Sequence, residues 1–275
     1  MPALVCEPPR LVIEVQGTHS ADTPGPAAQR WLDHDGRLIA TGGRSQSGWW
    51  MHWPGLATFL FDDEGPVRAL PARSGLDETI RDSFMRGVTP VVLLARGYEG
   101  LHASATLHPR GLVVMLGTSG TGKSTTAFAL ASRGGDHFSD DTIIYSTDGG
   151  SAVAWRLPFP VRVTAPAASF VEAPVASFVE PPARAPIHRI YHLVRDPLVD
   201  PLAPVFEPVE TERRFELLLA HAHPFEMGGA ERQRRFIQSV MTLARDVDVW
   251  TCRFGPRLDA LPSFAAALAD HIERA

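Results

Sequence analysis

One short stretch of the sequence combines a lysine, several hydroxyl side chains and three glycines at a spacing suited to binding phosphate. It reads GTSGTGKSTT and covers residues 117–126. Gly117 and Gly122 bracket four residues and precede Lys123 and Ser124, which fits the Walker A pattern G-x-x-x-x-G-K-[ST]. In such a loop, backbone N–H groups surround phosphate oxygens, the lysine reaches the outer phosphates and the hydroxyl binds Mg²⁺. The stretch therefore predicts a P-loop that binds a nucleotide, with Mg²⁺ at Ser124.

The segments around this loop have the patterns of a strand and a helix. The apolar run LVVML precedes the loop and STTAFALASRG follows it, which gives the strand–loop–helix context that the motif requires. A glycine-rich turn that binds nothing is the alternative, and the flanking elements argue against it. The predicted nucleotide-binding residues form one continuous run: Gly117, Thr118, Ser119, Gly120, Thr121, Gly122, Lys123, Ser124 and Thr125.

Two further groups could complete a site for phosphate chemistry. Asp140 and Asp141 lie in HFSDDTIIY, after the predicted helix, and His102 precedes the predicted loop strand. Neighbouring residues on an extended strand point to opposite faces, so the two carboxylates are predicted to have separate roles unless the chain turns there. The alternatives are a solvated turn or helix cap for the aspartates and a structural core histidine for His102.

Composition restricts the remaining function classes. The chain has 275 residues and a formal net charge of −5, and it contains no long basic block, so a nucleic-acid partner is not predicted. Apolar runs fall short of the roughly 20 residues that span a bilayer, and the N-terminal residues lack a signal-peptide pattern. We therefore predict a cytoplasmic protein without membrane contact. Cys6 and Cys252 form no metal-spaced or redox pair and are predicted to be packing residues.

Hydrophobic patterns divide the chain into two predicted regions. Residues 1–75 show short strands with turn signals such as Asp35-Gly36 and form a small β-rich N-terminal region, in which four tryptophans are predicted to mark a packed sheet face. Residues 76–275 start with two short helices, the second at Thr89-Pro90. Strands and helices then alternate, which predicts an α/β core.

Several later segments carry more specific predictions. Residues 157–208 are rich in proline and alanine, include a tandem octapeptide at 165–180, and are predicted to be irregular or edge structure that covers the site. Arg162 is a candidate phosphate clamp, although a solvent-facing role is favoured. Three arginines are predicted to form the solvated face of a helix: Arg232, Arg234 and Arg235.

Other features discriminate among phosphate-loop proteins. An LSGGQ-like signature and an NKxD-like guanine reader are both missing from the sequence, which disfavours transporter ATPases and GTPases. Residues 101–141, LHASATLHPRGLVVMLGTSGTGKSTTAFALASRGGDHFSDD, resemble the catalytic segment of the HPr kinase/phosphorylase family, which is similar in fold to phosphoenolpyruvate carboxykinase. The shared landmarks are the leucine-histidine pair, the loop, an arginine-glycine pair after the helix and the aspartate pair.

The resemblance implies a P-loop kinase core and a role for each site residue. It implies that Lys123 contacts phosphates during catalysis, that Asp140 accepts the proton of the acceptor hydroxyl, and that Ser124 and Asp141 serve the metal. His102 is then a neighbour that orients Asp140 or a phosphate.

A motif that is missing here gives information about the molecule that receives the phosphate. The downstream E-x-R-G-x-G signature of the bacterial regulator enzymes is replaced here by the alanine-proline stretch. The chain is therefore more similar to HPr-kinase-related proteins, some of which phosphorylate a serine on a peptide. The leading prediction is an ATP-dependent serine kinase for a peptide or protein acceptor, with a homo-oligomer left open. A small-molecule kinase and an ATP-binding sensor without phosphoryl transfer are the alternatives.

Overall fold

The computed structural model describes residues 11–17, 23–147, 151–157, 169 and 182–274. The chain divides into two compact units. The first comprises the described residues up to Glu99 together with Pro224–Ile237, and the second comprises Gly100–His223 and the residues from Gln238 onward. Each unit contains sheet and helix, so the protein is a mixed α/β protein, as predicted.

The first unit is built on a six-stranded sheet with the order β1-β6-β5-β4-β3-β2. All neighbouring pairs are antiparallel except β1 and β6, which are parallel. The strands are β1 (Ile13–Val15), β2 (Gln29–Leu32), β3 (Leu38–Ser45), β4 (Gly48–Trp53), β5 (Ala57–Phe61) and β6 (Val67–Pro71). Helices α1 (Asp77–Ser83) and α2 (Thr89–Ala95) follow, joined by a π-helical segment at Phe84–Val88.

The core of the first unit explains both the tryptophans and the extent of the unit. Trp49 of β4 is buried in this core, and Trp31 and Trp53 are partly buried against it, as the sequence predicted for a packed sheet face. Trp50, the next residue of β4, is also buried but is not part of this cluster. Apolar residues of α1 and α2 and of the segment after Pro224 also belong to this core. The unit therefore extends beyond the predicted region 1–75, because apolar helix residues complete the sheet's buried face.

The prediction for Arg232 is wrong. Its side chain is buried, with 4% exposure, and it makes two hydrogen bonds of 2.8 Å to the carboxylate of Glu99. It also donates to the carbonyl oxygens of Leu94 and Tyr98. A fully hydrogen-bonded ion pair offsets part of the cost of burying both charges. Helical periodicity does not predict such a pair, because the partner residue lies elsewhere in the sequence. Arg235 on the same helix is exposed, as predicted.

The second unit contains a larger mixed sheet in the order β10-β8-β9-β13-β12-β11-β7, with β15 on β13 and β14 on β15. Its strands are β7 (Glu99–Leu101, at the boundary between the units), β8 (Ser104–His108), β9 (Gly111–Leu116), β10 (Asp136–Ser139), β11 (Ile143–Ser146), β12 (Val153–Trp155), β13 (Arg184–Arg195), β14 (Val205–Pro208) and β15 (Asp248–Phe254). Its helices are α3 (Lys123–Ala131), α4 (Thr211–Ala220), α5 (Gly229–Asp246, which begins in the first unit) and α6 (Leu261–Arg274).

Strand β13 is the main departure from the sequence analysis. It lies between β9 and β15 and is parallel to both, so the prediction of irregular or edge structure is wrong for Arg184–Arg195. The proline and alanine content of the whole stretch hid this strand, because Pro186 lies within its first residues. The octapeptide repeat at 165–180 lies outside the described residues, apart from Ser169. Arg162 lies outside them as well.

The second unit has a hydrophobic core of its own. A second core lies between the sheet and helices α3 and α6, and it includes Tyr191, Leu193 and Cys252. Cys252 is a buried free thiol, consistent with a packing residue, and Cys6 lies outside the described residues.

Among the helices of the described chain, none combines the length and the apolar character that a bilayer crossing requires.

Candidate functional site

The loop between β9 and α3 has a tight backbone that depends on glycine. Gly117 has φ +149°, and a Cβ atom there would lie 3.0 Å from the carbonyl oxygen of Leu193. Gly122 has φ +108° and immediately precedes the first residue of α3. Both positions disfavour any larger residue. The strand, loop and helix therefore occur in the predicted order, with the loop at the N-terminus of a nine-residue helix.

Two threonines brace the loop from within. The backbone N–H and the hydroxyl of Thr121 both donate to the carbonyl oxygen of Thr118, at 3.2 Å and 2.7 Å. The Thr118 hydroxyl lies 2.9 Å from the Thr121 hydroxyl. Thr118, Ser119 and Gly120 are exposed at the tip of the loop, whereas Thr125 is half-buried in the first turn of α3. These bonds fix the loop's shape before any ligand binds.

Lys123 is folded back onto the loop rather than extended into solvent. Its side chain is buried, with 7% exposure, and Nζ donates to the carbonyl oxygens of Gly117 at 2.9 Å and Thr118 at 3.3 Å. A third contact, of 3.1 Å, joins Nζ to Nε2 of His102. Burial lowers the pKa of Lys123, and the charges of Asp141 and Asp140 partly oppose this shift.

His102 connects this lysine to the acidic pair. Its Nδ1 lies 3.0 Å from the backbone carbonyl oxygen of Asp141 and 3.4 Å from Oδ1 of the same residue. Because Lys123 can only donate, Nε2 accepts, and Nδ1 carries the proton that is donated to Asp141. One neutral tautomer thus satisfies both contacts. The structure places His102 against Lys123 and Asp141, and the sequence-based role of orienting Asp140 stays a prediction.

The two aspartates lie in a turn that gives them different surroundings. Strand β10 ends at Ser139, whose hydroxyl donates to the carbonyl oxygen of Thr142 at 2.8 Å. Within this turn Asp141 has φ +68° and is the one non-glycine residue with positive φ in the described chain. Asp140 is buried, with 2% exposure, whereas the Asp141 side chain is 73% exposed. The chain therefore turns at the acidic pair. The rule that neighbouring strand residues point to opposite faces does not apply to Asp140 and Asp141.

Ser104 is a site residue that the sequence analysis missed. It is fully buried on β8, and its Oγ donates to Oδ1 of Asp140 at 2.7 Å. The same Oγ lies 3.4 Å from Oγ of Ser124 at the start of α3. Ser104 therefore joins the acidic turn to the loop. Ser104 begins β8, whereas His102 lies in the bend between β7 and β8, so strand alternation does not link the two residues.

A cavity of about 440 Å³ opens beside the loop. Residues 118–121 line one part of it and residues 192–195, at the end of β13, line the other. Arg195 belongs to this second group, and its Nε donates to the carbonyl oxygen of Thr121 at 3.1 Å. The sequence analysis missed Arg195 because it did not recognise β13 as the neighbour of the loop strand.

Histidines surround the lysine side of the site. The rings of His192 and His221 have centroids 5.6 Å apart, and those of His102 and His223 are 6.0 Å apart. Burial lowers the pKa of His221 to about 4, and the nearby charges of His192, Lys123 and His102 add to this shift. Burial also lowers the pKa of His223 to about 4. His221 and His223 are therefore neutral near pH 7.

The predicted metal residues, Ser124 and Asp141, lie on the two sides of this site. Ser124 lies in the first turn of α3, next to Ser104, and Asp141 contacts His102. Across the described ranges no group of three or more His, Cys, Asp or Glu side chains is arranged to hold a metal ion. Mg²⁺ in phosphate sites commonly takes only one or two protein oxygens and fills its other positions with phosphate and water. A hydroxyl and an exposed carboxylate fit such a partial ligand set.

Comparisons with known proteins find similarity among solved structures only. No protein-family model matches the chain, and no curated protein matches it. Among solved structures, the Hpr(Ser) kinase/phosphatase from Coxiella burnetii matches with 15% sequence identity and a TM-score of 0.32. The match covers 64% of this chain and 99% of that chain. Similarity this low carries no argument about fold, substrate or activity.

Proposed function

We propose that this protein is an ATP-dependent, Mg²⁺-requiring kinase that phosphorylates a serine or a similar hydroxyl on a peptide or protein. One observation carries the proposal: a buried carboxylate, Asp140, and a loop hydroxyl, Ser124, both lie against Ser104. Phosphoryl transfer needs a positioned donor phosphate and a group that takes the acceptor's proton. A phosphate loop alone serves many functions, and the nearby carboxylate is what favours transfer.

The loop and Lys123 are proposed to hold the donor phosphates. The backbone N–H groups of residues 118–124 lie in the loop and at the N-terminus of α3, where partial positive charge favours an anion. Lys123 Nζ bonds to two loop carbonyl oxygens and to His102, so it can exchange one of these partners for a phosphate oxygen. Burial disfavours the positive charge of Lys123. A phosphate bound next to Nζ favours that charge again, because it is negative.

Asp140 is proposed as the proton acceptor. As the acceptor hydroxyl oxygen bonds to the terminal phosphorus and the bond to the ADP oxygen breaks, Asp140 takes the proton that the hydroxyl loses. The hydrogen bond from Ser104 fixes one carboxylate oxygen. Ser124 and Asp141 are proposed to bind Mg²⁺, which supplies charge neutralisation on the phosphates when bound.

The test compares nucleotide binding with phosphate transfer. ATP affinity is measured by calorimetry with Mg²⁺, and transfer is measured as labelled phosphate on serine-containing peptides or, without a known acceptor, as slow release to water. Asp140→Asn keeps the shape of the side chain and removes its basicity, so transfer should fall roughly 10²- to 10⁴-fold with ATP binding retained. Lys123→Ala should weaken ATP binding itself. Asp136→Asn, at the start of the preceding strand β10 and outside the site, is the matched control and should match the parent.

The outcomes test the mechanism and separate the three functions. If Asp140→Asn transfers phosphate as fast as the parent, the proton acceptor lies elsewhere and the proposed mechanism is wrong. A parent that binds ATP but transfers phosphate to neither peptide, metabolite nor water is a sensor. Transfer to a metabolite and to no peptide indicates a small-molecule kinase.

A further inference from the structure

Arg195 lies at the same edge of the sheet as the loop. Strand β13 runs parallel to β9, with His192 opposite Leu116, so both strands end at this edge. The loop follows β9 at Gly117, and Arg195 is the last residue of β13. In open α/β sheets, ligands bind outside the carboxyl ends of such strands. Arg195 is thus a cation at the end of the strand next to the loop.

The guanidinium group of Arg195 is anchored to the loop at one nitrogen. Nε donates to the carbonyl oxygen of Thr121, and Nη2 lies 3.8 Å from the position that a Cβ atom on Gly122 would take. The group therefore lies beside the first turn of α3. Within the described part of the chain, Arg195 takes part in no ion pair: the neighbouring Asp196 pairs with Arg253, and Arg195 is exposed. One hydrogen bond orients the group and leaves its two terminal nitrogens available as donors.

The adjoining cavity offers room for an anionic group between Arg195 and the loop. Its lining combines exposed loop residues, Thr118 to Gly120, with the end of β13. Lys123 contacts the loop carbonyl oxygens and is buried, whereas Arg195 borders the open cavity. A guanidinium presents a planar pair of N–H donors that matches two phosphate oxygens.

We propose that Arg195 is a second cationic side chain of the nucleotide site and that it binds a phosphate group from the cavity side of the loop. This inference rests on the proposed function, since it requires that the loop bind a nucleotide. Thr121 is the anchor that sets the direction of the guanidinium, and residues 118–120 supply backbone and hydroxyl donors to the same phosphate. Lys123 and Arg195 then bind the polyphosphate chain independently.

The experiment measures the affinities of ATP, ADP and inorganic tripolyphosphate by calorimetry for the parent chain and its variants. Arg195→Gln removes the charge and should weaken all three ligands about 10- to 100-fold, the range for a hydrogen bond to a charged group. Arg195→Lys keeps the charge without the bidentate donors and should give a smaller loss. Arg245→Gln is the matched control: this arginine is exposed at the end of α5 and pairs with Asp246, so its loss should leave binding unchanged. Thermal melting verifies that each variant is folded.

Failure of this inference is distinguishable from failure of the proposed function. If ATP binding is sensitive to Lys123→Ala but both Arg195 variants bind all three ligands like the parent, the role of Arg195 is overturned and the nucleotide site remains. If Arg195→Gln weakens ATP but not tripolyphosphate, the contact is to the nucleoside and the phosphate assignment is wrong. A parent chain that binds none of the three ligands overturns both proposals.

Discussion

The hydroxyl of Ser104 donates a hydrogen bond of 2.7 Å to Oδ1 of Asp140, and both residues are buried. Strand β8 carries the serine, and β10 pairs with β8 just before the acidic turn, with Ser139 opposite Ala105. The position of the proposed proton acceptor is therefore set by strand pairing together with one side-chain hydrogen bond. Because the Asp140 carboxylate is already held in position, substrate binding does not have to order it.

Ser104→Ala is expected to lower phosphate transfer more than ATP binding. The change leaves a buried carboxylate with one donor fewer, which costs about 1–3 kcal/mol of unfolding free energy, and it loosens Asp140. Transfer rate, ATP affinity and urea unfolding are measured together. Thr106→Val is the matched control, because Thr106 on the same strand donates to the carbonyl oxygen of Ala127 away from the acidic turn. It should lose stability without losing transfer, and an equal loss of transfer in both variants would contradict a specific role for Ser104.

Asp141 combines a strained backbone with a proposed metal contact, and two substitutions separate these properties. Asp141→Asn suits the left-handed conformation and removes the charge, so stability should be retained while Mg²⁺-dependent ATP affinity falls. Asp141→Ala should show the same loss of affinity and also lose about 1–2 kcal/mol of stability, the cost of a left-handed backbone for most residues. Urea unfolding and Mg²⁺ titrations measure the two effects. Unchanged Mg²⁺ dependence in Asp141→Asn would remove this residue from the metal site.

Protein stability is expected to fall as the pH decreases from about 6.5 towards 4. The pKa of His221 and of His223 is about 4 in the folded chain, against an ordinary value of 6.5, chiefly because both rings are buried. Between these values the unfolded chain binds protons that the folded chain does not, so acid favours unfolding. Urea midpoints across this range measure the effect.

A double variant and NMR assign this pH dependence to the two histidines. His221→Gln combined with His223→Gln should reduce the slope of unfolding free energy against pH. In the parent, the ring proton signals of both residues should keep their neutral positions down to about pH 5. Titration of either ring near pH 6.5 would show that the burial argument is wrong.

The buried pair of Arg232 and Glu99 is expected to dominate the charge contribution to the stability of the first unit. Arg232→Met removes the positive charge that pairs with the buried Glu99 carboxylate and should cost about 3–5 kcal/mol of unfolding free energy. Arg235→Ala is the control on the same helix, because its contact with Glu231 is exposed and 3.9 Å long. That change should stay within about 0.5 kcal/mol. Chemical denaturation compares the two, and equal effects would contradict the burial argument.

Local patterns in the sequence were enough to predict several elements. The strand, loop and helix around Lys123 were predicted because glycine spacing and apolar runs act within a few residues of one another. The helix at Thr89-Pro90 and the hairpin at Asp35-Gly36 were predicted from residues whose backbone preferences are intrinsic. The mixed α/β class followed from the order of these segments.

Tertiary structure alone decided which distant side chains meet. Arg195 reaches Thr121 because β13 pairs beside β9, and His221 lies beside His192 although a helix separates them along the chain. Arg232 is buried because Glu99 and two carbonyl oxygens satisfy its charge. Strand pairing and buried charge compensation depend on partners that are remote in the sequence, and a local pattern carries no information about such partners.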